Sequence, residues 1–364
     1  MTFVELQQIA DFVQGGRHGL SGKNFVANGF PAYGAGGVNG FLPEPEFNRD
    51  AVILSAIGAR CGKCFLAEGQ WSSLANTQVI FPDSKKADVR FLWYQLNDEA
   101  RWPRRGLAQP FIRPSDVRAH KVFLPPLDEQ RRIAAILDKG DGLRRTRKRA
   151  AELLDSLADA TFLEMFEENS GATFELKDVV KAGTIVTYGI VQAGPEVVDG
   201  VPYIRTGDLV DGEIQAANLR RTNRAIAAKF GRSRVEAGDI VMSIRATVGT
   251  TAIVPPALEG ANLTQGTARI APGDKVRSEY LLGYLRSERI QRWIAAQVKG
   301  ATFLEITLGR LRELPVAVPP MSRQLEFSRR MSKLRQLSGV MKVQKNRADA
   351  LFSALQQHAF SGRL

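Results

Sequence analysis

Two stretches of the chain alternate apolar positions in steps of three and four. In the first, Ile133, Ile136, Gly140, Leu143, Arg147, Ala150, Leu154, Leu157 and Thr161 keep this spacing, which is the seam of a coiled-coil helix. In the second, Phe327, Met331, Leu334, Ser338, Met341, Lys345, Ala348, Phe352 and Leu355 do the same. A proline pair leads each run: Pro125-Pro126 before Leu127-Asp128-Glu129-Gln130, and Pro319-Pro320 before Met321-Ser322-Arg323-Gln324. Neither seam is buried alone, so each predicts the other as its partner.

Ahead of the first helix, residues 1–121 read as a glycine-rich, mostly β domain with a few helices. Residues 5–13 give a short amphipathic opening that Gly15-Gly16 stops. Residues 30–41 hold too much glycine for a regular element and predict a strand end and an exposed loop. Residues 51–58 predict a buried strand, which Cys61-Gly62-Lys63-Cys64 turns back into Phe65-Leu66-Ala67. Residues 76–81 predict a further strand, and residues 89–96 have helical character.

The order then repeats. Residues 175–180 parallel residues 5–10, residues 239–249 parallel the strand from Asp50, and residues 276–285 stand where 89–96 did. The offset between copies grows from 170 at Glu5 and Glu175 to 194 at the proline pairs, which places about two dozen additional residues near 201–223. Matching Leu154-Asp155-Ser156-Leu157 and Phe162 with Phe352-Ser353-Ala354-Leu355 and Phe360 gives 198 at the helix ends. That predicts a second helix four residues longer, an insertion that a heptad seam absorbs as a stutter. The fold expected is α+β, with a first domain at 1–121, a central long helix at 122–168, a second domain at 169–318 and a C-terminal long helix at 319–364. Gly140 and Gly142 are expected to bend or interrupt the first helix.

At 364 residues the chain exceeds one typical core. Its net charge of +12 and pI near 9.9 favour a polyanionic partner. The last helix is the strongly basic part, with nine Lys and Arg against two Asp and Glu over residues 321–364. Two cysteines argue against a disulfide scaffold. The opening residues lack the pattern of a signal peptide and no apolar run is long enough to span a bilayer, so a cytoplasmic protein without membrane contact is expected.

Catalytic chemistry leaves no signature. The single C-x-x-C, Cys61 to Cys64, reads as a hairpin turn, because no second such motif exists and His18, His120 and His358 are scattered. Gly34-Ala35-Gly36-Gly37 with Gly40 does not open a helix, and Gly22-Lys23-Asn24 lacks the rest of a phosphate-binding loop. No Pro-Pro pair follows Asp, Asn or Ser and precedes an aromatic residue, the arrangement of amino-methyltransferases. Asp83-Ser84-Lys85 is a solvated turn without a second acidic ligand.

What remains is a set of side chains suited to nucleic acid. Arg and Lys fit guanine edges and phosphates, Asn and Gln fit adenine, and the amides of glycine-rich loops approach phosphates closely. In the first domain the candidates are Tyr33, Gly36, Arg60, Trp71, Asn76, Arg105 and Gln109. In the second they are Tyr188, Gln192, Arg205, Thr206, Arg245, Thr264, Gln265, Lys299 and Thr302.

The combination resembles the specificity subunit of type I restriction-modification systems over nearly the whole chain. The residues that carry it are Pro125 to Gln130 with Ile133-Ala134, Phe162 to Phe166, Tyr33 to Gly37, Gly58 to Gly62, Ile204 to Leu209, Gly238 to Ser243, and Lys299 to Thr302 before Leu314-Pro315. The resemblance implies two target-recognition domains, each reading one half of a split site on double-stranded DNA. It implies that the two helices pack as an antiparallel coiled coil that sets the spacer and seats two methyltransferase subunits. Those partners use S-adenosylmethionine, restriction and motor subunits complete the assembly, and this chain holds no cofactor and no metal. Ser322-Arg323 stands where Asp128-Glu129 does, which implies a weaker cap on the second helix. A scaffold that binds only proteins through its coiled coil is the alternative reading.

Overall fold

The computed structural model describes residues 2–16, 19, 21–106, 108–166, 171–300 and 304–363. The chain divides into two compact units, Met1–Arg149 with Val343–Leu364, and Ala150–Lys342. Each contains a β-rich domain and a stretch of both long helices, Leu127–Phe166 and Met321–Phe360. Among the described residues no helix is long and apolar enough to cross a membrane.

In the first unit, strands Ala10–Gln14, Thr77–Pro82, Ala51–Ser55 and Cys64–Ala67 form an antiparallel sheet in that order. The middle of its two central strands, residues 52–54 and 79–81, is apolar at every position because both faces are covered. Val52, Leu54 and Ile80 pack toward helix Val89–Leu96 and the long helices, whereas Ala51, Ile53 and Val79 pack against Trp71 and Phe81. A second sheet orders Gly37–Leu42, Phe30–Gly34, Gln70–Ser73 and Phe47–Asn48, its middle pair parallel. Strand Phe3–Glu5 pairs with Lys121–Phe123, which carries this domain two residues past position 121.

The second unit repeats the plan. Thr187–Tyr188, Thr267–Ile270, Ile240–Ser243 and Thr251–Ile253 make the antiparallel sheet. Arg220–Thr222, Val201–Ile204 and Asn262–Leu263 make the smaller one, again with a parallel pair. Ala172–Glu175 pairs with Pro315–Val318. The amide of Leu74 bonds Tyr33 and that of Thr264 bonds Ile204, whereas Ser55 and Ser243 each open the same type of loop. The offset thus rises from 171 at Tyr33 and Ile204 to 188 at Ser55 and Ser243, so the additional chain lies between Ile204 and Ser243. It folds as the small hairpin Leu209–Val210 with Glu213–Ile214 and the helix Arg224–Lys229.

Several expectations change. Residues 10–14 form a strand, preceded by only one turn of 3₁₀ helix at Leu6–Gln8. The glycine-rich segment at 30–42 is a paired hairpin with one register shift at Ala32/Tyr33 rather than a loop, because its glycines create room: a side chain on Gly40 would meet the Phe25 ring at 2.4 Å. The first long helix is unbroken at Gly140, where a side chain would meet Phe352 at 3.1 Å. Both long helices hold 40 residues, so the second carries no additional turn, and Phe166 and Phe360 each close their helix at the same offset as the proline pairs. The second seam is buried or half-buried at all nine positions. In the first, seven of the nine are buried or half-buried and Leu143 and Leu157 are exposed, while the neighbouring Leu137, Asp141, Arg144, Ala151, Ala158, Phe162 and Met165 also face inward, so the covered face is wider than one seam.

The proline-led start of each helix is fixed by one glutamine rather than by the acidic residues beside it. Gln130 is fully buried, accepts from the Asp88 amide at 2.9 Å and donates to Lys86 and Pro125 carbonyls at 3.0 and 2.8 Å. Gln324 is equally buried, accepts from the Arg277 amide at 2.8 Å and donates to Lys275 and Pro319 at 3.0 and 2.9 Å. Asp128 lies in solvent and Glu129 pairs with Arg132, so Ser322-Arg323 costs the second helix nothing at this joint. Beside each joint the domain's short helix makes an ion pair to a long helix, with opposite polarity: Arg90 to Asp138 at 3.0 Å, and Glu279 to Arg335 at 2.8 Å.

Replacing Gln130 by Ala strands one amide and two carbonyls in a site closed to water, and is expected to cost about 3 kcal/mol of unfolding free energy. Gln324→Ala is expected to cost the same in the other unit. Denaturant unfolding measures both, and a loss below about 0.5 kcal/mol in either, the range of an ordinary surface change, counts against the joint.

Candidate nucleic-acid interface

In each unit, loops from the two sheets gather at one end and are tied by backbone hydrogen bonds. In the first, the Ala56 amide bonds Asn76, Gly58 bonds Pro110, and Ile112 bonds Ala56, all at 2.9 Å. In the second, Ile244 bonds Gly266, Ala246 bonds Leu304, and Ile306 bonds Ile244, at 2.9 to 3.0 Å. Isolated bridges join Ile57 and Arg105 to Phe111, and Arg245 and Lys299 to Glu305. The two frames therefore correspond residue by residue. Gly58 has φ +106, and its counterpart Ala246 holds φ +61, a conformation that costs a residue with a Cβ.

This frame collects many of the candidates. Asn76, exposed with φ +67, sits at a tight turn. Arg60 is exposed and donates to the Gly36 carbonyl at 3.0 Å, which ties the glycine hairpin to the loop end. Arg105 pairs with Asp116 at 3.2 Å and holds that carboxyl below the usual carboxylate range. Gln109 is exposed in the same hairpin. In the second unit Gln265 bonds Ile190 through its amide, Thr264 bonds Ile204, and the Thr206 hydroxyl donates to Gly266 at 3.2 Å. Lys299 is exposed and Arg245 pairs with Glu305 at 3.0 Å. Tyr188 and Gln192 are exposed on the neighbouring segment.

Other candidates take structural roles. Trp71 is completely buried, packs on Phe47 and Phe81 and donates its indole N–H to Arg49, so it belongs to the core. Tyr33 meets Trp71 edge-on and donates to Leu66 at 3.2 Å. Arg205 commits Nε and Nη2 to Asp208, a hydrogen-bonded pair that raises the guanidinium pKa and fixes the turn. Thr302 lies outside the described residues.

The frame also presents Ile57, Phe111 and Glu305, which residue type alone did not single out. Arg105-Gly106 and Lys299-Gly300, spaced by the repeat's 194 residues and both with glycine at positive φ, are the signal that marks this hairpin in the sequence. The C-x-x-C is a buried turn: Cys61 and Cys64 thiols donate to the Ala56 and Leu96 carbonyls, and burial pushes the Cys64 pKa up, away from a thiolate. Among the described residues no group of three or more His, Cys, Asp or Glu is placed to hold a metal ion.

The family described as type I restriction modification DNA specificity domain matches residues 1–153 and again 168–348. The chain is 29% identical over 194 residues to the type I restriction enzyme EcoBI specificity subunit of Escherichia coli, 52% of this chain and 41% of that one. The match thus spans less than half of that relative. It is 22% identical over 343 residues to the type I restriction enzyme MjaVIII specificity subunit of Methanocaldococcus jannaschii, covering 87% of this chain and 80% of the relative. The fold is similar to the crystal structure of a type I restriction-modification S subunit from M. genitalium, with a TM-score of 0.62 at 16% identity over 99% of this chain and 96% of the other. Two matches to one family, one on each copy of the repeat, show that the chain belongs to the type I restriction modification DNA specificity domain family.

Proposed function

We propose that the chain is the DNA-recognition subunit of a type I restriction-modification complex, each β-rich domain reading one half of a bipartite site on double-stranded DNA. The observation that carries this reading is the duplicated loop frame, one backbone arrangement built twice with different side chains. A protein that reads two different half-sites needs two such surfaces. The exposed Arg60 and Lys299 supply phosphate contacts, and Asn76, Gln109, Gln192 and Gln265 supply paired donors and acceptors for base edges.

The long helices act as an antiparallel coiled coil that holds the two readers apart and docks two methyltransferase subunits. Contacts inside each unit support this. Gly140 lies against Phe352 and Leu355 in the first, and in the second Phe162 packs on Phe327 while Glu164 pairs with Arg330 and the Met165 carbonyl accepts from Arg323. S-adenosylmethionine binds in the methyltransferase partners, and cleavage belongs to restriction and motor subunits. A scaffold that binds only proteins has no use for two matched frames of polar and cationic loops.

Purified alone, the chain is expected to transfer no methyl group from labelled S-adenosylmethionine to DNA; transfer would overturn its assignment as a recognition subunit. Replacing residues 169–318 with the equivalent part of a relative is expected to change one half-site only, read by methylation mapping in a host carrying the complete system. Changes in both halves would refute independent reading. Because the helices are equal in length, removing one turn from each, 149–152 together with 339–342, is expected to bring the readers ~6 Å closer. At ~3.4 Å per base pair the preferred spacer shortens by about one or two base pairs. An unchanged spacer with full activity would show that the helices do not measure distance.

A further inference from the structure

The two loop frames place different chemistry on the same seats. Residues 57 and 111 face each other across one isolated bridge, and residues 245 and 305 across its counterpart. Residues directly opposite in such a pairing send their side chains to the same face. The first unit therefore presents Ile57 beside Phe111, both half-buried, and the second presents Arg245 beside Glu305, each 40% exposed with Nη2 and Oε1 3.0 Å apart.

A carboxylate on a DNA-reading face is repelled by phosphates, so its place there calls for a donor on the DNA. In the major groove the base-edge donors are cytosine N4 and adenine N6, whereas guanine O6 and N7 are a matched acceptor pair for arginine. An arginine and a glutamate side by side fit the one base pair that sets guanine's acceptors next to cytosine's donor. Apolar side chains on the same seats fit the methyl group of thymine.

We propose that Arg245 and Glu305 read a single G·C pair in one half-site, and that Ile57 and Phe111 read an A·T pair through its thymine methyl in the other. The arginine donates to guanine O6 and N7, and the glutamate, which already holds the guanidinium in position, accepts from cytosine N4. The assignment rests on the DNA-reading function proposed above and names the side chains that set its specificity.

The test is selection from a randomised duplex library by the full chain, purified with the subunits that accompany it. The unaltered protein is expected to select a G·C pair at one position of one half-site, with a preference roughly tenfold to a hundredfold over other pairs. Arg245→Glu with Glu305→Arg keeps the ion pair and exchanges its ends, so it is expected to select C·G at that position and leave the other half-site alone. Arg245→Ile with Glu305→Phe transplants the first unit's seats and is expected to turn the same position to A·T. An exchanged protein that selects the parent site overturns the proposal. So does loss of the entire half-site with a normal unfolding transition, which would assign the pair to loop support. If the unaltered protein selects no sequence, the DNA-reading function itself fails, a result distinct from either.

Discussion

A buried carboxamide at the start of each long helix is the constraint on which the rest of each unit depends. An amide side chain offers one acceptor and two donors in a fixed plane. Gln130 and Gln324 use all three, on the N-cap amide of the domain's short helix, the loop before that helix, and the proline-led turn. Each domain is therefore bonded to the helix that follows it at a defined angle, and an error at that joint would be carried by the full length of the helix. Such a buried polar group is tolerated because nothing in it is left unpaired.

The elements legible in the sequence were those with strong local signals. Helix Val89–Leu96 is capped by Asp88, whose carboxylate accepts from Phe91, and the buried strand is an unbroken apolar run over 51–54. The seam of the second long helix is unambiguous at Phe327 and Ala348, both buried, which have no apolar neighbour one position away. In the first, adjacent apolar pairs such as Ile136-Leu137 widen the inward face beyond one seam, and both residues are at least half-buried. The glycine hairpin leaves no such signal, because glycine's unfavourable strand propensity is local, whereas the packing of Phe25 over Gly40 joins residues fifteen apart. Phe162 and Phe166 sit one turn apart, and it is Phe166 that corresponds to Phe360, so the two helices are equal in length.

Residue type marks the shared loop frame only in part. Asn76, Arg105, Arg245 and Lys299 fall on the shared frame because turns and cationic loops leave a composition signal. Trp71 did not, since a large ring with one donor is satisfied in a core as readily as against a base. Ile57, Phe111 and Glu305 escape for the opposite reason: apolar and acidic side chains carry no nucleic-acid signal in a sequence, and only the paired bridges show that they stand on the same frame as Arg105, Arg245 and Lys299.

The reversed ion pairs beside the two joints bear on how a chain with two similar halves avoids confusing them. During synthesis the first domain and its helix emerge before the second, and each short helix has a seat resembling the one meant for its counterpart. Arg90 placed on the second seat would face Arg335, and Glu279 placed on the first would face Asp138. Correct docking joins opposite charges and exchanged docking joins like ones, so the polarity sorts the two halves at the moment when mistaken assembly of duplicated modules is most damaging.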